Sequence, residues 1–144
     1  MKSRIREGGG GLLSRYIKAL YGKRIARLSE HAYCAMLLRG EYPYVAELFE
    51  TLAASDMEML GELGEVLCEM GIDPVMDARI RGRGRRGENI DRMITYELDK
   101  LKGDIDELER IHSITDEPRV CETAEKMRLI ISENIKIFER ILHS

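Results

Sequence analysis

Four stretches of this chain repeat apolar residues at alternating steps of three and four, the spacing that lines one face of an α-helix and that no strand can use. The second stretch reads Val45, Phe49, Leu52, Asp56, Met59, Leu63, Leu67, Met70, and Asp56 is the only charge in that seam. The third is Ile90, Ile94, Leu98, Leu101, Ile105, Leu108, and the fourth is Val120, Ala124, Met127, Ile131, Ile135, Phe138, Leu142. The first, from Leu12 to about Arg39, has its strongest apolar stripe at Ile17, Tyr21, Ile25, Leu28 and Ala32, with Gly22 a point at which it can bend.

Helix punctuation falls between these stretches. Gly40 ends the first helix, Pro43 sits in the first turn of the second, and Gly71 with Pro74 closes it. The third is expected from about Asn89 to Ile114, and Asp116 is the expected N-cap of the fourth, with Pro118 in its first turn. Short links at two junctions and one long connection, residues 72–88, predict an all-α fold. Its form is an antiparallel four-helix bundle over residues 12–144, preceded by a flexible, glycine-rich segment over 1–11.

Composition narrows the function classes. With 44% hydrophobic and 34% charged residues the chain is too apolar to be disordered and too evenly charged to be a membrane protein. No run reaches the length needed to span a bilayer, and Met1 to Arg6 lead into glycines rather than an apolar signal region, so a cytoplasmic location is expected. A net charge of -3 supplies no global drive toward nucleic acid. Cys34, Cys68 and Cys121 form no Cys-x-x-Cys pair and read as reduced thiols, and His31, His112 and His143 are too scattered for metal-ligand spacing on one helix.

The densest positive charge lies in the long connection, at Arg79, Arg81, Arg83, Arg85 and Arg86, interleaved with Gly82, Gly84 and Gly87. Such a run can clamp phosphates or an acidic partner, yet it carries no aromatic residue for base stacking, and a solvated loop is the favoured reading over a nucleic-acid site.

The second helix carries a resemblance. Ala53-Ala54-Ser55-Asp56-Met57-Glu58-Met59-Leu60-Gly61-Glu62-Leu63-Gly64, followed by Cys68-Glu69-Met70-Gly71-Ile72-Asp73-Pro74, resembles the metal helix of the ferritin-like superfamily. Its nearest branch is that of the rubrerythrin and manganese-catalase-like proteins of bacteria. Leu20-Tyr21-Gly22, Tyr33, Asp116 and Phe138 also fit, and the resemblance covers about Leu12 to Leu142.

It implies a bundle centre holding two metal ions, iron or manganese, bound by a Glu from each of two helices and a Glu-x-x-His pair from each of the other two. Carried over by the family's spacing and the helix seams, these positions fall on Ala26, on Asp56 with Met59, on Leu101, and on Ile131 with Asn134. Glu133 and Lys136 are not a corrupted ligand pair, because they point away from the seam of their helix.

Of the six positions only Asp56 is a carboxylate, and thioether and hydrocarbon groups are poor partners for hard cations. The expectation is therefore a ferritin-like bundle without its di-metal centre and without a cofactor, non-enzymatic, acting as a structural or interaction protein. Apolar residues outside the seams of the first and fourth helices favour a homodimer. The relatives implied by the resemblance hint at a stress or spore setting. A metal-dependent oxidase or peroxide-reducing enzyme with one ion at Glu30, His31 and Asp56 is the alternative.

Two further expectations follow from burial. Asp56 requires a partner, with Asn134, Tyr33, His31 or a water as candidates, since an isolated buried carboxylate is costly. Asp104, one turn from Leu101, is read as a helix-edge aspartate in solvent.

Overall fold

The computed structural model describes residues 11–74 and 89–143 of the chain. Among the described residues there is no strand, and four long helices account for most of the structure: α1 (Leu12–Leu38), α2 (Pro43–Glu69), α3 (Ile90–Glu109) and α5 (Pro118–Leu142), with a single helical turn, α4 (Ile111–Ile114), between the last two. None of these helices is long and apolar enough to cross a membrane. Two compact units divide the chain, one holding α1 and α2 and the other α3, α4 and α5.

In the first unit α1 and α2 form a helical hairpin, joined by residues 39–42. α1 runs unbroken through Gly22. Pro43 occupies the first turn of α2, where a missing N–H leaves no helical bond unmade. The other end of α2 closes on Gly71, the one glycine with positive φ among the described residues, at 76°. There the Ile72 N–H donates to the Leu67 carbonyl at 2.8 Å and the Gly71 N–H to that of Cys68 at 3.0 Å. This pair of bonds is a Schellman closure, which requires a left-handed residue and so selects glycine. The buried face of α2 contains Phe49, Leu52, Asp56, Met59, Leu63 and Leu67, as the three-four spacing predicts.

The interior face of α1 departs from the expected stripe. Leu13, Ile17, Leu20, Arg24, Ile25, His31, Cys34, Ala35 and Leu38 are buried, whereas Ala32 is exposed and Tyr21 and Leu28 are only half-buried. The apolar residues alone misplace the face because two of its central positions, Arg24 and His31, are polar.

In the second unit α3 packs on α5, and α4 touches both. The Asn89 side chain caps α3 by accepting the Asp91 N–H at 2.8 Å. α3 stops at Glu109, so the helix expected to reach Ile114 is interrupted and resumes only as the single turn of α4. The N-cap of α5 is Glu117 rather than Asp116, and the Glu117 N–H is held by the Thr115 hydroxyl at 3.0 Å. Pro118 in the first turn is as expected. Val120, Ala124, Met127, Ile131 and Phe138 of α5 are buried together with Met93, Ile94, Leu98, Leu101 and Leu108 of α3.

Candidate functional site

Asp56 sits midway along α2 and is 1% exposed, with buried Leu52 and Met59 one turn to either side. Its carboxylate is engaged on both oxygens by α1. Arg24 Nη1 donates to Oδ1 at 3.0 Å, and His31 Nδ1 lies 2.6 Å from Oδ2. An ionised carboxylate only accepts, so Nδ1 carries the proton of that bond. Arg24 and His31 are seven residues apart, two helical turns, and hence on one face of α1 about 10 Å apart along its axis. The Arg24 and Asp56 side chains are 4% and 2% exposed, and that of His31 is 1% exposed.

Phe49, two turns before Asp56 on the same face of α2, stands with its ring centroid 6.0 Å from that of His31 at 46° between planes. The imidazole therefore neighbours both an aromatic ring and a carboxylate. His31 was among the expected partners of Asp56. Arg24 was not, although a continuous three-four series, Ile17, Leu20, Arg24, Leu28, His31, Cys34, Leu38, runs through it. A seam that tolerates charge reveals it, provided an opposite charge waits on the facing helix.

This donor set does not fit a di-metal centre. The one carboxylate among the six positions carried over from the ferritin-like resemblance has both oxygens bonded to groups of the protein, one of them a guanidinium that already supplies the positive charge. Met59, Leu101, Ile131 and Asn134 are buried, each within its own unit, and three of these four offer no oxygen or nitrogen. Ala26, which the register carried over from that resemblance placed inside, is exposed on α1, and Glu30 is half-buried. The interior positions of this part of α1 are Arg24 and His31 instead. No group of three or more His, Cys, Asp or Glu able to hold a metal ion occurs among the described residues.

The second unit also buries charge. Asp104 is 1% exposed, so its expected place at a solvated helix edge is incorrect; it falls one turn beyond Leu101 on the interior side of α3. Glu97, 3% exposed, accepts from Lys100 Nζ at 3.2 Å, and that ammonium also lies 4.5 Å from the centre of the Tyr96 ring. Glu133 and Lys136, by contrast, pair with each other at 3.3 Å on the solvent side of α5.

A cleft of about 140 Å³ lined by Leu108, Glu109, His112, Ala124, Glu125 and Arg128 opens at the junction of α3, α4 and α5. It is smaller than the roughly 300–1,000 Å³ of ordinary ligand pockets. Arg128 is engaged there by two bonds to Glu125, at 2.6 and 3.0 Å, and this hydrogen bonding holds the Glu125 carboxyl below its ordinary value and the Arg128 guanidinium above its own. The three cysteines are free thiols, Cys34 buried, Cys121 half-buried and Cys68 exposed. Arg79, Arg81, Arg83, Arg85 and Arg86 lie outside the described residues.

Comparison with protein-family models, with curated proteins and with solved structures gives no match.

Proposed function

We propose that this chain is a non-enzymatic helical protein of the ferritin-like four-helix bundle class, in which the metal-binding role of the centre has been given up. It acts through its surface as a structural or interaction protein, as a homodimer in the cytoplasm. The observation that carries this reading is the capture of both Asp56 oxygens by Arg24 and His31. A carboxylate that must bridge cations needs its lone pairs available and its charge unspent.

The polar groups of this centre are buried, at 1% exposure for Asp56 and His31 and 3% for Arg24, so they offer no face to a substrate. Large apolar side chains stand outside instead, including Met36, Tyr44 and Met57 on the first hairpin and Leu129 on α5. These supply contact area suited to protein association.

Elemental analysis of the protein purified without chelators, after growth with added iron and manganese, tests the reading. Far less than one metal ion per chain is the expected result. One or two ions per chain would restore the enzymatic alternative, with Glu30, His31 and Asp56 as the first residues to replace.

A further inference from the structure

We infer that the Asp56 carboxylate is a cation site of the α1–α2 hairpin that Arg24 plugs from within, and that a small planar cation of the guanidinium class takes the place when the Arg24 side chain is removed. This deepens the proposed function, since it identifies what occupies the charge position of the centre. The site is built from three groups. Asp56 Oδ1 faces the Arg24 guanidinium at 3.0 Å, His31 Nδ1 holds Oδ2 at 2.6 Å, and all three side chains are at least 96% buried.

The Arg24 guanidinium brings positive charge to the buried Asp56 carboxylate. Taking the guanidinium away leaves a buried carboxylate with only an imidazole beside it, a state of high free energy that a mobile cation relieves. Geometry selects the cation. The place left behind is the volume of a flat guanidinium with one N–H, from Nη1, reaching Asp56 Oδ1, a shape that a free guanidinium fills better than a compact, strongly hydrated ammonium. Two remaining donors, one of them committed to the other, are too few for a zinc or manganese ion, which takes four or more.

The test uses the full chain carrying Arg24→Ala, melted with increasing methylguanidinium chloride against potassium chloride at equal ionic strength. Loss of the plug is expected to lower Tm by about 10–15 °C. Methylguanidinium at ten times its Kd is expected to return about 4 °C of that loss, and to return nothing in the Arg24→Ala/Asp56→Asn double variant.

Absence of recovery in a folded Arg24→Ala variant overturns the inference, as does equal recovery in the double variant or a larger response to zinc or manganese than to methylguanidinium. If Arg24→Ala does not fold, Arg24→Lys and Arg24→Met decide: a lysine variant more stable than the methionine variant supports the plug, and a methionine variant no less stable contradicts it. Failure here, with wild-type protein free of metal, removes only the plug. Stoichiometric metal in the wild type removes the proposed function as well.

Discussion

Both helical units bury charge, and the ion pairs at Asp56 and at Glu97 differ in reach. On the α1–α2 hairpin the interior charges meet across the helix pair, with Arg24 and His31 of α1 converging on Asp56 of α2. On the α3–α5 unit Asp104 is buried as well, and one bond of the buried Glu97 stays within its own helix, from Lys100 three residues on. A same-helix pair at this spacing forms wherever the helix forms and says nothing about its neighbour. A cross-helix pair does more. One carboxylate held by two donors two turns apart fixes the axial offset of α1 against α2, the use of buried polar groups that is best attested in helical assemblies.

The comparison breaks if removing the two kinds of residue has similar consequences. Asp56→Ala takes the carboxylate away from both Arg24 and His31, and it is expected to cost about 3–5 kcal/mol in denaturant unfolding. Replacing all three groups together, as Arg24→Met/His31→Leu/Asp56→Leu, is expected to cost clearly less than Asp56→Ala alone, because hydrocarbon of similar volume can replace a buried ion pair with little loss. A triple variant as unstable as the single one would mean that the cluster is not acting as a unit.

Next in size is Gly71→Ala at the end of α2. No atom within 4 Å meets the added Cβ, so the expected loss of about 1–2 kcal/mol comes from the φ of 76° alone. It is measured by the same unfolding experiment, and an unchanged midpoint would show that the α2 closure has another way to form. On the other unit, Ile131→Val removes one methylene from a fully buried side chain, and about 0.5–1.5 kcal/mol is expected. A larger loss would mean that α5 is packed as tightly around Ile131 as α2 is around its ion pair.

The smallest effect belongs to Glu125 and Arg128, which are paired in solvent. The Glu125 carboxyl is held below its ordinary value in the folded chain, chiefly by the Arg128 hydrogen bond. Its contribution to stability is therefore present above the ordinary carboxylate range and is lost as pH falls through the lowered folded value. Arg128→Ala is expected to raise the Glu125 titration midpoint seen by NMR and to leave the unfolding midpoint unchanged, as exposed pairs do. A marked loss of stability would show that this pair is a strut of the α3–α5 unit.

How legible each unit was in the sequence follows from the same contrast. The α5 seam names the buried Val120, Ala124, Met127, Ile131 and Phe138, because every interior position there except Thr123 and Asn134 is apolar. The α2 seam is equally readable, and its one charge announces that a partner is needed. α1 was not readable in this way. Its apolar stripe runs through Tyr21, Leu28 and Ala32, since Arg24 and His31 count against burial when hydrophobicity is weighed one helix at a time. What makes them interior residues is Asp56, twenty-five or more positions away.

The breaks after Glu109 and at Glu117 were illegible for a different reason. They turn on single local hydrogen bonds, such as that from the Glu117 N–H to the Thr115 hydroxyl, which periodicity does not register. The misreading of Asp104 shares its origin with that of Arg24, a polar residue on an interior face.

A double-mutant cycle on Arg24→Met and Asp56→Leu, followed by denaturant unfolding, tests the central claim most directly. If Arg24 supplies the charge that Asp56 requires, the two losses are strongly non-additive, with a coupling of about 1.5–3 kcal/mol. Losses that add to within about 0.5 kcal/mol would contradict the account, because Asp56 would then owe its place in the interior to something other than Arg24.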